Sequence, residues 1–139
     1  GKPYIHTAGK TAETAELWNT LPEQDAFLES MAASAQSVAD YFGDNILYIN
    51  VMNNLSIDCD CDSNPHDPEM KDIGILASTD PVALGQACLD LVYAVKPTEG
   101  NDNRPLVNRI ESLHGRHTVD YAETIGLGSK NYEVVVLDT

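Results

Sequence analysis

The sequence predicts an α/β domain: about four helices and a small mixed sheet, arranged in a three-layer-like way. Three observations carry that prediction. Segments with apolar residues at helical spacing alternate with short runs rich in β-branched and aromatic residues. Start and stop residues for helices stand between them. The 139 residues suffice for one core that buries about two thirds of the surface an unfolded chain exposes. No internal repeat or boundary interrupts the pattern. The expectation is therefore a single domain over residues 1–139, forming the C-terminal part of a longer protein.

Taken in order, residues 1–19 show no period and are expected to pack as an arm or short strand. Thr20-Leu21-Pro22-Glu23 fits a Thr-x-x-Glu capping box, with proline tolerated in the first turn. Phe27, Met31, Ala35, Val38 and Phe42 follow at helical intervals and predict one buried stripe, with Gly43 at the C-terminal cap. Asn45 to Met52 reads as a buried strand, residues 53–71 as a long loop, and Ile73 to Ala77 as a second strand.

Asp80-Pro81 supplies an N-cap followed by proline at the first helical position. Leu84, Cys88, Leu91 and Val95 form the expected apolar face of that helix, which Lys96-Pro97 ends. After a polar connector over 97–104, Pro105 to Leu113 predicts a helix through Leu106, Ile110 and Leu113. Thr118 is expected to cap a short helix ending near Gly126, and Tyr132 to Leu137 to form a last strand.

Eight basic against 22 acidic side chains give a formal charge of −14. Such a surface repels phosphate backbones and anionic lipid, so nucleic acid and membrane are not expected partners. Cations and basic polypeptides are compatible with it. No run approaches the roughly 18 apolar residues a spanning helix needs, and no charged-then-apolar leader is present. Three cysteines, two of them one residue apart, do not make a secreted disulfide framework. A reducing, cytoplasmic setting is the expectation.

The chemistry concentrates at Asp58-Cys59-Asp60-Cys61-Asp62, inside the long loop. Asp67, Glu69 and Asp72 add to the negative charge, which Lys71 alone offsets. Crowded carboxylates repel one another and raise the pKa of neighbouring thiols, so a nearby cation is the natural complement. In extended backbone, Cys59 and Cys61 point to one side. Two thiolates so placed chelate a soft ion: zinc, ferrous iron or the edge of an iron–sulfur cluster. A closed site takes four ligands, for which His66 and Asp62 are nearest. Asp58, Asp60, Asp62 and Glu69 also occupy positions 1, 3, 5 and 12 of a calcium loop. Ser63 stands where that loop needs glycine, Pro65 follows, and strands flank it, so calcium ranks after iron and zinc. The plain alternative is a surface loop with two unligated cysteines.

Other motifs carry less. Thr7-Ala8-Gly9-Lys10-Thr11 ends like a phosphate-binding loop, but Tyr4 stands where that pattern requires glycine. Ser78-Thr79-Asp80-Pro81 reads as a strand-to-helix turn rather than an anion site. His6, His114 and His117 are paired with no nucleophile in a recognisable pattern and read as surface or capping residues. Cys88 falls on an apolar helix face and reads as core.

The stretches Ile49-Asn50-Val51, Asp58-Cys59-Asp60-Cys61, Asp72 to Ser78, Asp80-Pro81-Val82-Ala83-Leu84 and Gln86-Ala87 together resemble the "domain of unknown function 362" family. Ala122-Glu123, Ile125-Gly126-Leu127-Gly128-Ser129 and Tyr132-Glu133 resemble its C-terminal signature. The resemblance runs in patches from Tyr4 to Val136. Members are commonly described as iron–sulfur proteins, many with a ferredoxin-like insertion, so the resemblance implies a metal or cluster at Cys59, Asp60 and Cys61. This chain departs from them in lacking a Cys-x-x-Cys-x-x-Cys run, in carrying Gly85 where aspartate is frequent, and in lacking the family's N-terminal portion.

Together these readings point to an iron–sulfur- or divalent-metal-associated domain, and the role expected of it is redox or electron transfer. Its ligands would be Cys59 and Cys61, with Asp58, Asp60, Asp62 and His66 completing or tuning the site. A missing N-terminal region or a redox partner would supply what remains. Two alternatives stand beside it: the structural half of an enzyme site completed by that N-terminal region, and an acidic module that meets a basic partner.

Overall fold

Asp80 and Pro81 begin the helix that links the sheet to the C-terminal helix. The computed structural model describes residues 1–58 and 66–137. In chain order its elements are α1 (Lys2–His6), a 3₁₀ helix (Thr14–Asn19), α2 (Gln24–Phe42), β1 (Tyr48–Met52), β2 (Gly74–Ser78), α3 (Pro81–Ala94), α4 (Arg104–Ser112) and α5 (His117–Thr124). This is the α/β class the sequence predicts. β1 and β2 pair antiparallel, from Tyr48 opposite Ser78 to Met52 opposite Gly74, and α3 lies between this sheet and α5.

The first nineteen residues hold two short helices, α1 and the 3₁₀ helix, joined by a turn, rather than an arm or strand. Thr7, wholly buried, explains the turn after α1. Its hydroxyl donates to the Pro3 carbonyl at 2.8 Å and accepts the Thr11 N–H at 3.1 Å, while Ala8 and Gly9 take positive φ. Gly9-Lys10-Thr11 is thus the turn that closes α1, not a phosphate cradle.

The capping box at Thr20 does not form. The Thr20 hydroxyl donates instead to the Glu16 carbonyl at 2.6 Å, closing the 3₁₀ helix, and α2 starts later, after Glu23. The buried face of α2 is also rotated by one residue from the expected stripe. Leu28 and Ala32 are buried, whereas Met31, Ala35, Val38 and Phe42 are exposed. Polar side chains beside the buried face account for the difference. Gln24 Nε2 donates to the Leu113 carbonyl, Ser30 Oγ to the Ile5 carbonyl and Gln36 Nε2 to the Ile125 carbonyl, at 2.9, 2.7 and 2.7 Å. Each of those carbonyls lies at a helix end, where helical partners run out. α2 therefore faces its neighbours through small apolar residues and amide or hydroxyl donors. Gly43 ends it as expected, at φ 54° with its N–H on the Ala39 carbonyl.

Two clusters make the core. Ala32, Val82 and Ala122 let α2, α3 and α5 approach closely, with Val119, Tyr121, Ile125 and Leu127 around them. Met52, Met70 and Val92 join the sheet to α3 and α4, with Leu76, Cys88, Leu106 and Ile110 packed against them. α3 serves both clusters, so its buried residues (Val82, Ala83, Leu84, Ala87, Val92) surround more of the helix than the expected stripe, and Leu91 is exposed. Cys88 takes the expected core position, with Asn50 Nδ2 at 3.2 Å from its sulfur. Gly85 sits where a Cβ would be 3.5 Å from Val119 Cγ2, so a larger residue there would meet α5.

α5 starts after Arg116, with Thr118 inside the helix rather than capping it. Its end is as expected: Gly126 at φ 80°, with Gly126 N–H on Glu123 O and Leu127 N–H on Ala122 O, the paired bonds of a Schellman turn.

β1 is not a buried strand. Met52 points into the core, but Ile49 and Val51 are exposed, as is Ile75 on β2, because α3 covers only one face. The expected last strand does not form either. Tyr132 to Leu137 makes no ladder, so the sheet has two antiparallel strands among the described residues rather than a mixed set.

Candidate functional site

Cys59, Asp60, Cys61 and Asp62 lie outside the described residues; Asp58 and His66 lie at the two ends that are described. The first end is fixed by α4. Both Asp58 carboxylate oxygens meet Arg109 Nη2, at 3.1 and 3.3 Å, and Ser56 Oγ donates to the Asp58 carbonyl at 2.9 Å. Arg109 projects from α4 four residues after Pro105, and both partners are partly shielded from solvent. No local signal in the sequence marks it, because 51 positions separate the two residues.

The other end is fixed to the connector between α3 and α4. The Glu69 carbonyl accepts the Asp102 N–H at 2.8 Å, and the Lys71 N–H donates to Asn101 Oδ1 at 2.8 Å. Met70 between them is buried in the second core cluster. Asp72 then accepts the Asn54 N–H at 2.9 Å, closing the stem that leads from β1 toward β2. Both ends of the cysteine-bearing segment are therefore held by the α3–α4 corner. His66 and Asp67 are exposed there. A cleft of about 620 Å³ opens beside them, lined by Pro68, Glu69, Thr98, Glu99, Asp102 and Arg104.

That corner carries an electrostatic marker. Hydrogen bonds from the Arg104 guanidinium and its backbone N–H hold the Asp102 carboxyl down at a pKa of about 2, against an ordinary 3.8. An acid depressed in the folded state contributes stability above its ordinary pKa and loses it as pH falls through the folded value. The Asp102–Arg104 contribution is thus complete above about pH 4 and gone below about pH 2. Arg104→Ala should raise the Asp102 midpoint toward 3.8 in a carboxyl-carbon NMR titration. An unmoved midpoint would show that the guanidinium is not its cause.

The remaining candidates take structural places. Among the described residues, no group of three or more His, Cys, Asp or Glu side chains is placed to hold a metal ion. His114 Nδ1 lies 2.8 Å from Asp25 Oδ1, and His117 Nε2 lies 3.0 Å from Glu29 Oε1. The hydrogen bond with His114 holds the Asp25 carboxyl below its usual range. Asp25 and Glu29 are one helical turn apart on α2, so the two pairs fasten α2 to the turn after α4 and to the first residue of α5. His6 packs edge-on against Phe27, ring centroids 5.2 Å apart. The Tyr93 hydroxyl donates to Glu111, and Arg116 lies over the Tyr93 ring at 5.4 Å. Burial, followed by that bond, raises the Tyr93 pKa.

Ser78-Thr79-Asp80-Pro81 is the strand-to-helix turn the sequence predicts, and it does more than cap α3. Asp80 Oδ1 accepts the N–H groups of Val82 and Ala83 at 2.8 and 3.0 Å, and Oδ2 accepts the Ser129 N–H at 2.9 Å. The helix amides that an anion would seek are already taken. Two distant stretches, Asp80-Pro81 and Gly128-Ser129, meet at this carboxylate. Tyr132 extends the same junction, its hydroxyl donating to Asp90 Oδ2 at 2.6 Å.

The geometry defines an acidic α/β domain in which α4 holds Asp58 and the connector before α4 holds Glu69 and Lys71. The chain belongs to the family described as "Domain of unknown function (DUF362)", whose model matches residues 1–90. That range takes in α1 through most of α3 and the whole Cys-Asp-Cys segment. No curated protein and no solved structure matches the chain. Among the described residues, no helix is long and apolar enough to cross a membrane.

Proposed function

We infer that this chain is a metal- or iron–sulfur-associated domain in which Cys59 and Cys61 are soft ligands. Asp58, Asp60, Asp62 and His66 complete or tune the site. The observation that carries the reading is the pairing of two thiols, one residue apart, with a dense set of carboxylates. The anchoring of Asp58 by Arg109 supports it, since the guanidinium offsets one negative charge and holds one end of the segment.

The donor set fits half the shell of a tetrahedral ion or the edge of a cluster. Carboxylates beside a thiol oppose its ionisation, so the thiolates form as the metal binds and protons leave, which makes affinity rise with pH. The remaining ligands come from Asp62 and His66, or from an N-terminal region or a redox partner. When bound, an iron–sulfur cluster carries single electrons, whereas zinc or another divalent ion at such a site cross-links the chain.

The test is elemental analysis with an absorption spectrum of anaerobically purified protein, beside the Cys59→Ser/Cys61→Ser double variant. Wild type should retain iron or zinc and the variant should lose most of it. Equal metal content in the two would eliminate the reading. Metal retained by both and displaced by calcium would point instead to the oxygen ligands.

A further inference from the structure

We propose that Arg109 is a positioning residue that keeps the Asp58 carboxylate off a bound ion and so biases the chain toward soft cations and against calcium. This rests on the reading that Cys59 and Cys61 are soft ligands. It makes Asp58 a residue that tunes the site rather than one that completes it.

Arg109 stands on α4, whose Leu106, Val107 and Ile110 pack on the second core cluster, so its guanidinium is offered from a fixed helix. Nη2 lies 3.1 and 3.3 Å from the two Asp58 oxygens. The Asp58 carbonyl accepts the Ser56 hydroxyl at 2.9 Å, which holds the backbone as well. The two side chains are 41% and 27% exposed, and partial shielding makes their attraction stronger than that of a fully solvated pair. Among the described residues, Asp58 is the one acidic side chain of positions 58–72 that meets a cation at ion-pair distance.

Covalent geometry carries the effect to the thiols. Cys59 follows Asp58 directly. Consecutive Cα atoms are about 3.8 Å apart and a zinc–sulfur bond is about 2.3 Å long. An ion on the Cys59 sulfur therefore stays within about one Debye length of Asp58, where its charge and that of Arg109 are felt.

The pair acts differently on the two kinds of ion. Calcium is held by several hard oxygens, and Asp58 occupies the first position of the calcium-loop frame. With both oxygens facing a guanidinium, that position offers no free carboxylate. A soft ion draws its main bonds from sulfur and gives up less.

Calorimetric titration of the reduced whole chain with calcium chloride, and separately with cadmium chloride as a soft probe, tests this. Arg109→Gln should tighten calcium at least about ten-fold and change cadmium less than about three-fold. Arg109→Lys, which keeps the charge, should stay close to wild type. Asp58→Asn should keep the ultraviolet absorption of cadmium–thiolate bonds, and in the Arg109→Gln background it should abolish the calcium gain. Circular dichroism of each variant should match wild type. Equal calcium affinity in wild type and Arg109→Gln, or none in either, would overturn the proposal. So would a gain that survives Asp58→Asn, since net charge alone would then explain it. The metal reading fails by a separate result: cadmium bound equally by wild type and by the Cys59→Ser/Cys61→Ser variant.

Discussion

Asp80→Ala should lower the unfolding free energy by roughly 2–4 kcal/mol, a large fraction of a small domain's stability. The carboxylate makes three bonds to backbone N–H groups: two cap α3 and one holds Ser129, 49 positions away. Losing the cap alone costs about 0.5–2 kcal/mol. The charged bond to Ser129 adds about 1.5–3 kcal/mol, reduced because water reaches part of the junction. Urea unfolding at neutral pH should show a lower midpoint with an unchanged slope. Asp80→Asn keeps an acceptor for the cap and should recover part of the loss. A drop in Asp80→Ala below about 0.5 kcal/mol, no more than an ordinary surface change, would remove this junction from the account of stability.

Gly128→Ala should cost roughly 1–3 kcal/mol through overpacking. A Cβ at Gly128 would lie 2.7 Å from Asp80 Cγ and 2.9 Å from Oδ2, far closer than real Cβ contacts allow. Asp80 cannot swing away without giving up its bonds to Val82, Ala83 and Ser129, so the strain has no cheap outlet. With Asp80→Ala already in place the obstruction is gone, and Gly128→Ala should then cost almost nothing. A double-mutant cycle should return a coupling of at least about 1 kcal/mol. Additive losses would mean that the two residues do not press on one another.

The parts of the fold that were legible in the sequence are those governed by local chemistry. Asp80-Pro81 announces α3 because an aspartate acceptor and a proline without an N–H both suit a first turn. Gly43 and Gly126 mark helix ends because they take positive φ there. The two strands and α4 fall within a few residues of their expected bounds. What escaped were choices made by distant partners. Thr20 fits a capping box, yet Glu16, four residues back, holds its hydroxyl. The apolar spacing from Phe27 to Phe42 is real, but α2 buries Leu28 and Ala32 because Gln24, Ser30 and Gln36 reach the ends of other helices. The Val-rich stretch after Tyr132 has strand composition without a strand partner. At the candidate site, the thiols and carboxylates were plain in the sequence. Arg109 and the Asn101–Asp102 connector were not, because only tertiary contact brings them to Asp58 and Lys71.

The fastening of Asp58 to Arg109, and of Glu69 and Lys71 to the connector before α4, has an evolutionary consequence. Of the residues between those moorings, the described His66, Asp67 and Pro68 are exposed and join neither core cluster. Residues added beside them would cost little, since each doubling of a loop's length adds only about 0.6 kcal/mol of closure entropy. The scaffold can therefore accept added chain here while its helices and sheet stay as they are.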